Sequence, residues 1–371
     1  MSESNLFKPL KVGHLQLQNR VVLAPLTRFR ADDKHVPLPF VAKYYAQRGS
    51  VPGTLLISEA AFIAPQAGGF PNAPGIWNEE QIKSWKHVTD AVHEKGSFMF
   101  LQLWALGRAA NADALKAELG PDAQVKSSSD VPITGQTVPT PLTEAEIHEY
   151  IGLYAQAAKN AIAAGFDGVE IHGANGYLVD QFTQDNANKR TDKWGGSVEN
   201  RARFGIEVAK AVVNAVGAEK TGIRLSPYSS FQDMKMADPV PQFTYLAEEL
   251  KKLKLAYLHV VESRINGAFD AEKATVESLD FIVNLWAKTS PVFLAGGFKP
   301  DTAKEAVDSV YKDKDIAIVF GRYFISNPDL VFRLKQGIAL EPYDRSKFYN
   351  VGEEDGYITW PFSKEFEVAK V

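Results

Sequence analysis

The sequence predicts a (β/α)8 barrel, the TIM-barrel class of α/β fold. Three observations point there. Eight short apolar runs recur along the 371 residues, at 21–24, 54–58, 98–103, 168–171, 222–225, 256–261, 292–295 and 316–320. They are near-continuous rather than alternating, as expected of strands buried on both faces of a parallel sheet. Amphipathic helical patterns fill the gaps between them. The competing doubly wound sheet usually shows a glycine-rich phosphate loop after its first strand. Here the first run leads into Pro25-Leu26-Thr27-Arg28-Phe29, and no such loop occurs anywhere.

Taken in order, residues 7–20 precede the first strand and read as a short hairpin able to plug the barrel bottom. Residues 60–78 form an uncharged stretch rich in Pro and Gly, which reads as a loop and not a membrane span. Residues 105–142, after the third strand, are long, irregular and contain Pro and Ser, the pattern of a capping lid. Thr143 to Glu146 is a capping box. It starts a helix carrying Ile147, Ile151, Tyr154, Ala158 and Ile162 on one side, with a stop at Gly165. Phe204, Val208, Val212 and Val216 mark another helix, which stops at Gly217. No linker divides the chain, so residues 1–371 are expected to form one barrel domain.

Composition narrows the chemistry. Lys and Arg total 41 against 45 Asp and Glu, a net charge of −4, which argues against a nucleic-acid-binding surface. No cysteine is present, which excludes disulfides, thiol nucleophiles, Cys-ligated zinc and iron–sulfur clusters. The seven histidines are scattered without metal-ligand spacing, so no metal is expected. The N-terminus lacks the basic and apolar regions of a secretory signal, and a cytoplasmic location is expected.

Barrel enzymes place their chemistry at the C-terminal ends of the strands. After the fourth run stand His172, Asn175 and Tyr177, two hydrogen-bond donors and a weak acid able to hold an anionic oxygen and offer a proton. Gln102 ends the third run, with Trp104 two residues on along the same face, and Arg224 lies within the fifth. A guanidinium inside a barrel needs a partner, either a structural carboxylate or a bound electron-rich ring or anion. Runs seven and eight end in Gly296-Gly297 and Gly321-Arg322. Barrel phosphates often sit between these two loops, and Arg322 would add a charge-assisted clamp. Together these features ask for a phosphorylated ligand carrying a polar heterocycle, and flavin mononucleotide (FMN) fits. A flavin-free barrel binding a phosphorylated metabolite is the alternative from another class.

These residues also resemble a known family. The chain is similar to the Old Yellow Enzymes, FMN-dependent NADPH dehydrogenases acting as ene-reductases. The motifs are Asn19-Arg20-Val21-Val22-Leu23-Ala24-Pro25-Leu26-Thr27-Arg28, Gln102-Leu103-Trp104 with Gly107-Arg108, and Glu170-Ile171-His172-Gly173-Ala174-Asn175-Gly176-Tyr177. Asn188-Lys189-Arg190, Trp194-Gly195-Gly196, Arg224-Leu225-Ser226, Gly296-Gly297 and Phe320-Gly321-Arg322 complete the set. The resemblance implies that Pro25, Thr27 and the Ala60 backbone contact the flavin, and that Gln102 and Arg224 meet its ring edge. It implies that Gly296, Gly297, Gly321 and Arg322 hold its phosphate, and that Trp104 and Tyr349 line the substrate pocket. Yeast members usually carry Gly where Ala60 stands. NADPH would reduce FMN. His172 and Asn175 would then hold the carbonyl of a small-molecule α,β-unsaturated aldehyde or ketone, with Tyr177 protonating its α carbon. Ascomycete members, including those of ergot alkaloid pathways, look most similar. In some of these a Phe replacing the tyrosine is associated with alkene isomerisation; Tyr177 points to reduction. A monomer or homodimer is expected.

Overall fold

The computed structural model describes residues 3–266, 269–270 and 277–369. Eight parallel strands close into a barrel: β1 (Val21–Leu23), β2 (Leu55–Phe62), β3 (Phe98–Trp104), β4 (Gly168–Gly173), β5 (Thr221–Leu225), β6 (Tyr257–Val261), β7 (Val292–Ala295) and β8 (Ile316–Phe320). Neighbours pair in chain order, and β8 pairs with β1 to complete the ring, Ile318 opposite Val21. Each expected apolar run became a strand, and β7 and β8 keep the expected bounds.

The largest departure is in β2. It continues to Phe62, into a stretch that reads as loop. A register shift between Ile57 and Ala60 makes this possible. At the shift Ser58 Oγ accepts from Gln102 N at 3.1 Å and donates to Glu59 O at 2.6 Å. A side chain thus replaces a missing ladder bond, and Ala60 lands opposite Gln102.

The hairpin forms as expected, Leu10–Val12 antiparallel to Leu15–Leu17. Leu10, Val12, Leu15 and Leu17 are buried while Lys11 and Gln16 face water. The buried face packs in one cluster with the barrel interior, including Val22, Phe100, Tyr257 and Phe293. A second, larger core lies between barrel and helices. There the helix Glu144–Ala163 begins with the expected capping box, Glu146 N donating to Thr143 Oγ1 at 3.3 Å and Thr143 N to Glu146 Oε2 at 2.7 Å. The helix Val198–Val216 ends at Gly217, whose φ of 97° suits glycine.

Residues 105–142 are more ordered than the irregular lid expected. They contain the helix Ala112–Leu119 and a short parallel pair, Lys126–Ser127 with Thr140–Pro141. Buried Gln181 anchors them, accepting from Arg108 N at 3.0 Å and Ser127 Oγ at 2.8 Å. No helix among the described residues is long and apolar enough to cross a membrane.

Gly222 on β5 leaves a gap inside the barrel. A Cβ there would lie 2.6 Å from Tyr257 Cε2, so the missing side chain is what lets the Tyr257 ring cross β5. Substituting Gly222→Ala is expected to cost about 1–3 kcal/mol through overpacking, read as a lowered melting temperature with the barrel's circular dichroism retained.

Candidate functional site

A cavity of about 480 Å3 opens at the C-terminal end of the barrel. Pro25, Thr27, Ala60, Gln102, Trp104, His172, Asn175, Tyr177, Arg224, Gly296, Gly297, Gly321, Arg322 and Tyr349 all line it. The structure therefore brings together every site residue named from the sequence. Residues 105–142 contribute nothing to its lining, so the capping segment buttresses the site from behind. Ile265, from the loop after β6, does face the cavity, and residues 267–268 of that loop lie outside the described set.

The floor is built by strand register. Gln102 on β3 stands opposite Glu170 on β4, and Glu170 opposite Gly222 on β5. Two residues further along, His172, Arg224 and His259 stand side by side on β4, β5 and β6. The Glu170 carboxylate is fully buried and collects three donors: Gln102 Nε2 at 2.7 Å, Tyr257 OH at 3.0 Å and His259 Nδ1 at 2.8 Å. Burial works against its charge, but His259 and Arg224 nearby overcome that and hold it below the usual carboxylate range. Burial conversely lowers the pKa of His259, against the pull of Glu170. Arg224 Nε is buried with no hydrogen-bond partner among the described residues. Such an atom costs about 1–3 kcal/mol unless a ligand satisfies it.

Above this floor stand His172, Asn175 and Tyr177. Ala174 N donates to His172 Nδ1 at 3.4 Å. Burial, together with the charges of Arg224 and His259, pushes the imidazole pKa well down. His172 is therefore neutral with its proton on Nε2. Asn175 holds a left-handed backbone, φ 57°, its N–H donating to Ser226 Oγ at 2.8 Å and its carbonyl accepting from Gln232 Nε2 at 2.9 Å. Strain of this kind, fixed from both sides, is typical of functional turns. The Tyr177 ring meets His172 edge-on at 4.9 Å and Trp104 at 5.0 Å. Burial pushes its phenol well above the ordinary range, so it keeps its proton.

At the ends of β7 and β8, Gly296 has φ 139°, and a Cβ there would lie 2.8 Å from Glu262 Cβ. Gly297 is also left-handed, φ 66°. Both glycines line the cavity, and successive residues with positive φ suit a backbone anion cradle. Arg322 Nη1 donates to Tyr343 OH at 3.1 Å.

Several residues escaped the sequence reading. Glu170 and His259 are one case; their partnership spans 89 residues and leaves no local pattern. Arg28 and Arg30 are another. Arg28 Nε donates to Phe348 O at 2.9 Å and its Nη2 to Gly356 O at 3.0 Å, while Arg30 Nε donates to Glu353 O at 3.0 Å. These bonds tie the loop after β1 to the C-terminal segment that supplies Phe348 and Tyr349 to the rim. The aromatic rings of Tyr44 and Tyr357 stack at 4.0 Å beside the two guanidiniums. Buried Glu59, whose carboxyl burial pushes up to about 7, accepts from Arg28 N at 3.1 Å. Buried arginines near a strand end were the available signal.

The state of His172 has a measurable consequence. Its folded pKa lies below that of the unfolded chain, so below about pH 6.5 the unfolded state binds the extra proton and stability falls as pH drops. The H172N variant lacks that proton. Relative to it, the wild type should lose up to about 1.4 kcal/mol between pH 7.5 and 5.5, measured by urea unfolding of both proteins at the two pH values.

Comparison with known proteins identifies the family. The model of the NADH:flavin oxidoreductase / NADH oxidase family matches residues 5–341. A chanoclavine-I aldehyde reductase of Penicillium roqueforti is 56% identical over 99% of this chain and 98% of its own length. An NADP-dependent oxidoreductase of Aspergillus flavus is 54% identical over 98% of this chain and 97% of its own. Among solved structures, an Old Yellow Enzyme from Pichia superposes with a TM-score of 0.88 at 40% identity, covering 97% of this chain and 94% of that one. The chain belongs to the NADH:flavin oxidoreductase / NADH oxidase family and is an oxidoreductase of the Old Yellow Enzyme type.

Proposed function

We propose that the protein is an FMN-dependent ene-reductase that uses NADPH to saturate the alkene of an α,β-unsaturated aldehyde or ketone. The residues present fit the cofactor. Arg224 Nε is a buried donor awaiting an acceptor, and Gln102 beside it lines the same floor. Gly296 lines the cavity where its backbone packs so closely on Glu262 that a Cβ has no room. Pro25, Thr27 and Ala60 would lie along the ring, Gln102 and Arg224 at its polar edge, and Gly296, Gly297, Gly321 and Arg322 around its phosphate. Bound there, FMN would supply the redox chemistry, accepting hydride from NADPH and passing it from N5 to the β carbon of the substrate.

The observation that carries the reading is the placing of His172, Asn175 and Tyr177 together in the cavity, the His172 and Tyr177 rings 4.9 Å apart, above that floor. His172 Nε2–H and the Asn175 amide would donate to the substrate carbonyl, stabilising the negative charge that develops on its oxygen. Removing one such donor typically costs 10²–10³-fold in rate. Tyr177 would deliver its hydroxyl proton to the α carbon. Trp104 and Tyr349 would shape the pocket around the substrate. The names of the two fungal relatives, an aldehyde reductase and an NADP-dependent enzyme, support the choice of carbonyl and of nicotinamide.

The test is Y177F with a conjugated enal. Reduction of the flavin by NADPH should be unchanged, while turnover of the alkene falls about 10²–10⁴-fold. Wild-type protein should consume one NADPH per saturated product. Full alkene turnover in Y177F would overturn the role of Tyr177, and rearranged product without NADPH consumption would establish an isomerase instead.

A further inference from the structure

We propose that Glu170 is a positioning residue of this cavity: its carboxylate fixes which edge of the Gln102 amide meets the bound cofactor and tempers the charge that Arg224 presents to it. The proposal rests on FMN occupying the cavity and is independent of what happens to the alkene.

The argument begins with donors and acceptors. An ionised carboxylate only accepts hydrogen bonds. Gln102 Nε2, 2.7 Å from Glu170 Oε1, is therefore committed to it. The amide cannot rotate without placing its oxygen against a carboxylate oxygen. Its Oε1 accepts no hydrogen bond from any described residue, and Gln102 lines the cavity. The ligand atom that faces Oε1 must then be an N–H, while the second Nε2 hydrogen stays free to donate beside it. The pyrimidine of FMN carries a single N–H, between two carbonyls.

The second half concerns charge. Glu170 makes its close contact with His259 Nδ1, at 2.8 Å, and not with Arg224. Tyr257 OH and His259 saturate Oε2, so the carboxylate is held short of the guanidinium. Burial still weighs most on Arg224 and lowers its pKa, Glu170 opposes this through space, and its Nε has no partner among the described residues. A carboxylate serving only the packing of the barrel would be expected to seize the arginine directly. This one leaves the arginine available to a ligand and reduces its net field.

The experiment compares wild type, E170Q and E170D as holoenzymes and as flavin-stripped protein. In E170Q a negative charge is lost beneath the ring, so the midpoint potential of bound FMN should rise, since reduction adds negative charge there. FMN affinity should fall at least about tenfold, because the Gln102 amide is no longer fixed. E170D keeps the charge but draws it back from Gln102. Its potential should stay near the wild-type value while its affinity falls. An E170Q potential that is unchanged or lowered overturns the proposal, as does an E170D potential that moves as far as that of E170Q. Should neither variant fold, the wild-type protein still decides. Stripped of flavin, it should bind N3-methyl-FMN at least about 100-fold more weakly than FMN, and equal binding overturns the Gln102 assignment. A failure of ene-reduction alone would leave each of these readouts intact.

Discussion

Parallel register is the constraint on which the site depends. In a closed parallel barrel, inward side chains of adjacent strands meet at fixed heights. Gln102, Glu170 and the gap at Gly222 share one height; His172, Arg224 and His259 share the next. A one-residue slip of β4 would send His172 and Glu170 outward together. The polar floor and the groups above it are therefore one structural decision. What fixes the register is apolar: the alternate faces of the strands bury into two separate cores, one inside the barrel with the hairpin and one outside with the helices.

The barrel was legible because its signal is local. Eight apolar runs and two capped helices can each be read within a dozen residues. The residues lining the cavity were legible for the same reason, since strand ends and glycine turns mark themselves. What escaped has a common cause. The extension of β2 to Phe62 depends on Ser58 substituting for a ladder bond to Gln102, a contact across 44 residues. The Glu170–His259 pair and the Arg28 bonds to Phe348 span longer separations still. His259 looked like one of several scattered histidines because its meaning lies on another strand. The segment 105–142 misled in a different way. Pro and Ser there read as irregularity, yet the serines are the groups that bond Gln181 and order the segment.

Electrostatics then divides labour between the two heights. The lower one holds a charge that is fully hydrogen-bonded and cannot move. The upper one holds His172 neutral and Tyr177 protonated, the states that the proposed reduction would use. The same burial acts on both heights with opposite results, because Glu170 has three donors and a nearby cation, whereas His172 has cations and no carboxylate in contact.

The pairing of β8 with β1 also bears on how the protein comes into being. Ile318 must meet Val21, and Arg28 must meet Phe348, so both the wall and the rim of the cavity join the first strand to the last part of the chain. Closing a loop of that length carries an entropy cost that only late, cooperative contacts offset. During synthesis β1 therefore waits with an unpaired edge until the final quarter of the chain has left the ribosome. The cavity has no partial version in a half-made chain, because its wall and rim need both ends of the sequence.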